Sequence, residues 1–250
     1  MTQDERILEL VEIIHQQGKV TQEFICQRYG ISYDSARRDL LKLGQMTGIL
    51  RVRGGAISQP PKLAGRSYRQ RSEPDAIKLR LARYAASLIQ PQDVVLLDTG
   101  TIPAEIARAT AVEACFITNS LDILAECSDN DSIRKIMLGG EFNPFNRAIY
   151  SAEAIRQLSR YQVDKAFIGV PAFSEHGLCC EQELEAEFKH EMTRQAAYRI
   201  CVCEYSKFNQ RLAFHGAGWD DIDCVITDQP PPTNFIELFT RHDIDLRVVA

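Results

Sequence analysis

Seven short apolar runs recur from residue 94 onward: VVLL (94–97), CFIT (115–118), IRKIML (133–138), KAFIGV (165–170), RICVCE (199–204), CVITD (224–228) and LRVVA (246–250). Each has the length of a strand, and helical patterns such as LDILAEC separate most of them. Strands that are apolar on both faces belong in a mostly parallel sheet covered by helices on either side. In such strands residues two apart share a face, so Cys201 and Cys203 are expected to lie together. KLRLARYAASLI (78–89) reads as the helix that opens this region, and Pro103 as the first residue of a later one.

The chain before this region follows a different pattern. Ile7, Leu10, Val11 and Ile14 form the stripe of an amphipathic helix, which Gly18 stops. Thr21 caps a second helix carrying Phe24, Ile25 and Tyr29, and Gly30 ends it. Ser32 caps a third, with Ala36, Leu40 and Leu43 on its buried side and Gly44 near its end. ILRV, Gly54–Gly55 and AI then suggest a small hairpin. Three short helices and a hairpin are the outline of a winged helix-turn-helix. It is expected over 1–57, followed by a proline-containing basic linker over 58–74 and an α/β domain over 75–250.

Charge separates the same parts. Residues 28–83 hold 13 Lys/Arg against 4 Asp/Glu, whereas residues 84–250 hold 14 against 25, in a chain of formal net charge −5. A basic segment on an acidic body points to a polyanion that meets the segment alone. On the third helix the candidate DNA contacts are Ser32, Tyr33, Asp34 and Ser35 in the first turn, then Arg37, Arg38 and Lys42; Arg51 and Arg53 flank the hairpin tip. The start of such a helix reaches base edges in the major groove, and arginine forks match guanine edges or phosphates. The plainer reading is a solvated helix in which Asp34 pairs with Arg38 and Asp39 with a neighbour.

ISYDSARRDLLKL followed by GILRVRGGAI resembles the DeoR-type family of bacterial transcriptional regulators. LLDTGT, ITNS, LGGE, DKAFIG, the EAEFKHEM helix, YSKF and ITD continue that resemblance in order across nearly the whole chain. It implies binding to double-stranded operator DNA, most simply as a repressor of a carbohydrate-related operon. It also implies a second domain resembling sugar-phosphate isomerases and CoA transferases in fold, which senses a phosphorylated sugar or a related metabolite. Two-fold operators imply a dimer or tetramer.

In an open α/β sheet, ligands bind beyond the carboxyl ends of the strands. Asp98, Thr99, Gly100 and Thr101 follow one predicted strand, Thr118, Asn119 and Ser120 close a second, and Gly139, Gly140 and Glu141 follow a third. Backbone amides at Gly100 and Gly140 are suited to a phosphate, and Lys207 supplies a cation. Phe142, Pro144, Phe145 and Tyr150 are candidates for an apolar wall. The family pattern DSGTT is DTGTI here, with Ile102 replacing a hydroxyl. The family's D-x-SKF is Glu204-Tyr205-Ser206-Lys207-Phe208, so the ligand or its phosphate contacts are expected to differ.

The alternative is a sugar-phosphate isomerase-like enzyme with a basic N-terminal extension. No pair among Asp98, Glu141, Asp164, Glu181, Glu185 and His215 is set apart by spacing as an acid and base, so no catalysis is expected. Eight cysteines without regular spacing read as reduced thiols. His176, Cys179 and Cys180 lack the second half of a zinc site, so neither metal nor cofactor is expected. The chain has no apolar run long enough for a membrane span and opens without a signal-like segment, which predicts a cytoplasmic protein.

Overall fold

The computed structural model describes residues 2–46, 49–58 and 75–249. The chain divides into two compact units, one reaching to residue 65 and the other starting at residue 66. The expected linker therefore lies outside the described residues, except for Ser58, which ends a strand.

The first unit is a winged helix-turn-helix. Helix α1 (Gln3–Gln17) begins in a reciprocal capping box: Thr2 Oγ1 accepts from the Glu5 amide, and the Glu5 carboxylate accepts from the Thr2 amide at 2.8 Å. Strand β1 (Lys19–Thr21) precedes α2 (Gln22–Tyr29), where Thr21 Oγ1 caps the Phe24 amide at 3.1 Å. Helix α3 (Tyr33–Leu43) is capped by Ser32. Strands β2 (Ile49–Val52) and β3 (Gly55–Ser58) form the wing, and β1 joins it in the antiparallel order β1-β3-β2. The paired glycines have separate tasks. Gly54 turns the chain at φ 84°, and a Cβ on Gly55 would lie 2.2 Å from the Val20 carbonyl oxygen, so β1 docks only against a bare backbone. Leu10, Ile14, Ile25, Ala36, Leu43 and Ala56 are wholly buried at the centre of the unit.

In the second unit Asp75 caps α4 (Ala76–Ala86), its carboxylate accepting from the Ile77 amide at 2.8 Å. Strands β4 (Val94–Leu97), β5 (Ala114–Thr118) and β6 (Ile133–Met137) alternate with α5 (Thr101–Ala109) and α6 (Leu121–Cys127). A two-stranded hairpin, β7 (Phe142–Asn143) and β8 (Ala148–Ile149), leads to α7 (Ala152–Leu158). The chain then returns to the sheet through β9 (Val163–Gly169). Short strands β10 (Ala172–Ser174) and β11 (Gly177–Cys180) precede α8 (Glu183–Gln195) and β12 (Ala196–Cys203). Strand β13 (Phe214–Ala217), β14 (Cys224–Thr227), α9 (Thr233–Arg241) and β15 (Asp245–Val248) complete the unit.

The main sheet is parallel throughout, in the order β15-β14-β12-β9-β4-β5-β6. Side chains alternate across it. Val95, Leu97, Phe116, Phe167, Ile200, Val202 and Ile226 pack in one core with residues of α4, α5 and α6. Leu96, Ile117, Ala166, Ile168, Cys201, Cys203 and Val225 pack in the other with α7, α8 and α9. Cys201 and Cys203 do share a face, and burial pushes both thiols upward in pKa. The order reverses between β4 and β9: winding proceeds outward through β5 and β6, then restarts on the other side. In doubly wound sheets such a reversal leaves a crevice beyond the carboxyl ends of the two strands that flank it, here β4 and β9. Strands β10, β11 and β13 form a separate antiparallel sheet that the sequence did not announce. Helix α5 starts two residues before Pro103, which therefore stands third rather than first; its missing amide proton falls in the turn where none is used.

Candidate functional site

Two sites stand out, one on each unit. In the first, Ala36, Asp39, Leu40 and Leu43 are the buried residues of α3. At 3.6 residues per turn the opposite face is centred on Asp34, Arg38 and Leu41, flanked by Tyr33 and Arg37 on one side and Lys42 on the other. Tyr33 is 58% exposed and Leu41 43%. Arg37 and Arg38 are also exposed. Arg38 reaches the Asp34 carbonyl oxygen at 3.4 Å rather than its carboxylate, so the expected side-chain pair across one turn is replaced by a weak backbone contact. Ser32 Oγ is committed to the helix start and to Ser35 Oγ at 3.1 Å. Arg51 on β2 and Arg53 at the wing turn are exposed. Lys42 pairs with Asp4 of α1, and both side chains are open to water. Exposed pairs of this kind are weak and exchange readily.

Asp39 behaves differently from its expected surface pairing. Its carboxylate is fully buried and accepts from Arg6 Nε at 3.0 Å, Arg6 Nη2 at 3.3 Å and Gln3 Nε2 at 2.8 Å, all on α1.

The second site is the crevice of the sheet. Asp98, directly after β4, is fully buried. It accepts from the Thr99 amide at 2.8 Å, from the Gly169 amide at the end of β9 at 3.0 Å, and from Lys189 Nζ. Lys189, on α8, is 1% exposed; it also donates to the Gly169 carbonyl at 2.9 Å and lies 3.7 Å from Glu185. Burial raises the Asp98 pKa, with Lys189 and the two amides pulling it back. For Lys189 burial works against the charge, but Asp98 and Glu185 outweigh it and the ammonium is held protonated. This pair fastens the two strands of the switch point.

Around it, Thr99 Oγ1 lies 3.4 Å from both Ser120 Oγ and the Asn146 carbonyl. Gly100, at φ 152° and ψ 167°, leads into the first turn of α5, a conformation that excludes a side chain. Asn119 holds the β7–β8 hairpin through its Nδ2 on the Ile149 carbonyl at 3.1 Å and its own carbonyl on the Ile149 amide at 2.9 Å. Arg147 on that hairpin pairs with Asp122 at 2.8 Å.

The expected contacts therefore divide. Thr99, Gly100, Thr101, Gly139, Gly140, Glu141 and Lys207 keep solvent-accessible surface. Asp98, Thr118, Asn119 and Ser120 are 0% exposed and brace the crevice rather than line it. The Gly139 amide is taken by Gln157 Oε1 at 2.9 Å. Lys207 ends a short 3₁₀ turn, Tyr205–Lys207, fixed by the Tyr205 amide on the Asp228 carboxylate at 2.6 Å. Ile102 is core. Of the apolar-wall residues, Tyr150 is buried edge-on against Phe188 at 5.7 Å, while Phe142 is 39% exposed. His176, Cys179 and Cys180 do not converge. Adjacent positions of β11 send the two cysteines to opposite faces, and the His176 side chain is 73% exposed.

A winged helix-turn-helix with outward arginines, in one chain with a doubly wound domain creviced at its switch point, defines a DNA-binding regulator with a sensor domain. Comparisons with known proteins agree. A model of the DeoR-like helix-turn-helix domain matches residues 6–62, and a model of the DeoR C-terminal sensor domain matches residues 75–229. The HTH-type transcriptional repressor GlcR of Bacillus subtilis is 36% identical over 250 residues, covering 99% of this chain and 97% of that protein. The glycerol-3-phosphate regulon repressor of Escherichia coli is 26% identical over 251 residues, covering 99% and 100%. Among solved structures, ribose 5-phosphate isomerase A from Methanocaldococcus jannaschii overlaps 54% of this chain and 55% of its own, at 19% identity and a TM-score of 0.39. That likeness is too distant to carry an argument about ligand or activity. The chain belongs to the DeoR family of transcriptional regulators, a family of regulators rather than of enzymes. No helix among the described residues is long and apolar enough to cross a membrane.

Proposed function

We propose that this protein represses a carbohydrate-related operon and that a phosphorylated sugar, bound in the switch-point crevice, sets its affinity for operator DNA. The observation that carries this reading is the placement of Thr99, Gly100 and Thr101 where β4 gives way to α5, beside the buried Asp98–Lys189 pair. A helix start offers amide donors and the positive end of its dipole to an anion. The hydroxyls of Thr99 and Thr101 add neutral donors. Lys207 ends the 3₁₀ turn that follows β12, a strand two places from β4 and so roughly 10 Å from it across the sheet. A sugar phosphate is long enough to engage both. Glu141, exposed after β6, is suited to sugar hydroxyls. The name of one relative, the glycerol-3-phosphate regulon repressor of Escherichia coli, supports the same reading. Arg37, Arg38, Arg51 and Arg53 are assigned to operator contacts, and a second copy of the chain to the other half of a two-fold site.

The test is a thermal-shift series in which glucose 6-phosphate, fructose 6-phosphate and glycerol 3-phosphate are each paired with the unphosphorylated parent, with inorganic phosphate alongside. A ligand at a hundred times its Kd adds about 2.7 kcal/mol to the state it binds. Stabilisation by one phosphorylated compound beyond its parent and beyond phosphate supports the assignment. A panel in which every phosphate ester behaves like its parent overturns it.

A further inference from the structure

We propose that Asp39 is a positioning residue for operator recognition: its buried carboxylate, clamped by Arg6 and Gln3, fixes the rotation of α3 about its own axis. A carboxylate beside two arginines on a DNA-reading helix is electrostatically unfavourable for binding a polyanion. The structure removes that conflict by turning Asp39 inward. Its side chain is fully buried, and Arg6, 12% exposed, covers it with a fork from α1. Three hydrogen bonds of 2.8, 3.0 and 3.3 Å fall on its two oxygens.

The other buried residues of α3, Ala36, Leu40 and Leu43, are apolar. Apolar packing tolerates a small roll of a helix, whereas a two-point fork does not. Arg38 is the neighbour of Asp39, about 100° round the helix. A roll of about 20° carries the surface of a helix about 5–6 Å in radius through roughly 2 Å. Bidentate base contacts work only over donor–acceptor distances of about 2.7–3.2 Å, so a shift of that size abolishes them. Contacts to phosphates, made by long side chains at many places, survive it.

The experiment compares the full-length protein with its Asp39→Asn and Arg6→Lys variants on two probes. One is a duplex selected by the wild-type protein from a random-sequence pool; the other is a scrambled duplex of equal length and composition. Asp39→Asn removes a negative charge, so a purely electrostatic role predicts tighter binding to both. The positioning role predicts at least a tenfold loss on the selected duplex with less than a twofold change on the scrambled one. Arg6→Lys, which keeps the charge but not the fork, is expected to lose part of the same discrimination and carries the test if Asp39→Asn does not fold. Equal changes on both probes, in either direction, or an unchanged selected-to-scrambled ratio, overturn the proposal.

Discussion

Replacing Lys189 by methionine isolates the charge pair on which the switch point rests. The unbranched stem is retained, so the cavity term stays small, but Asp98 loses its counter-ion while fully buried. Breaking a buried pair from one side costs about 3–5 kcal/mol. Asp98 would keep its two amide donors, from Thr99 and Gly169, which favours the lower end, about 3 kcal/mol. That is a large share of the 5–15 kcal/mol that holds a typical domain together. Urea unfolding followed by Trp219 fluorescence reads this unit directly. Trp219 is the chain's one tryptophan, 5% exposed, with Phe173 and Phe239 at 5.1 and 5.3 Å. The pH dependence has a definite sign. Burial already raises the native pKa of Asp98, and removing the ammonium raises it further. A carboxyl with a native pKa above its unfolded value binds more protons when folded. It favours folding most below the unfolded value, and that contribution fades as pH climbs through the native value. The deficit of Lys189→Met should therefore shrink from pH 8 to pH 5.5. Adding Asp98→Asn should recover much of it at pH 8. A deficit below about 1 kcal/mol, or one equal at both pH values, would falsify the ion-pair account.

Arg38→Ala should weaken binding to a selected operator duplex by the worth of one base contact, about 1–3 kcal/mol, with the melting temperature nearly unchanged because the side chain is exposed. Wild-type affinity in this variant would remove Arg38 from the interface. Gly55→Ala should destabilise the winged unit by about 1–3 kcal/mol, since the new methyl meets the Val20 carbonyl at 2.2 Å; circular dichroism melting that shows no loss refutes the close approach. Lys207→Ala should reduce the thermal shift produced by a phosphorylated effector while leaving DNA binding by the free protein intact, and an unaltered shift excludes Lys207 from the crevice.

What the chain's local chemistry specifies was legible in advance. Helices α1 to α3 announce themselves through Gly18, Thr21, Gly30 and Ser32, because a cap acts within one turn of its own helix. The seven strands of the main sheet were legible because apolar runs buried on both faces are rare elsewhere. Strand β1 was not, since its three residues mean little until they pair with β3, Lys19 opposite Ile57. Strands β10, β11 and β13 depend likewise on Leu178 meeting Ala217. Strand ends could be placed on one edge, but not in order. That β9 lies beside β4, and so brings Gly169 to Asp98, is a property of the winding and not of either segment.

The charged residues that matter most were hidden for a related reason. Lys189 and Asp39 look like members of surface pairs, Glu185 with Lys189 at i,i+4 and Asp39 beside two arginines. Each instead finds its principal partner far along the chain, Asp98 at a separation of 91 residues and Arg6 at 33. Burial of an isolated charge is too costly to persist, so such a residue survives inside only where a distant element delivers the opposite charge. The signal was nevertheless present. Asp39 stands in the stripe of Ala36, Leu40 and Leu43, and Lys189 among Glu185, Ala186, Phe188 and Met192, all buried on α8. A charge within an apolar stripe has no water to face. It must be paired across the fold, and in both units that pairing fixes the element presenting the residues assigned to DNA or ligand.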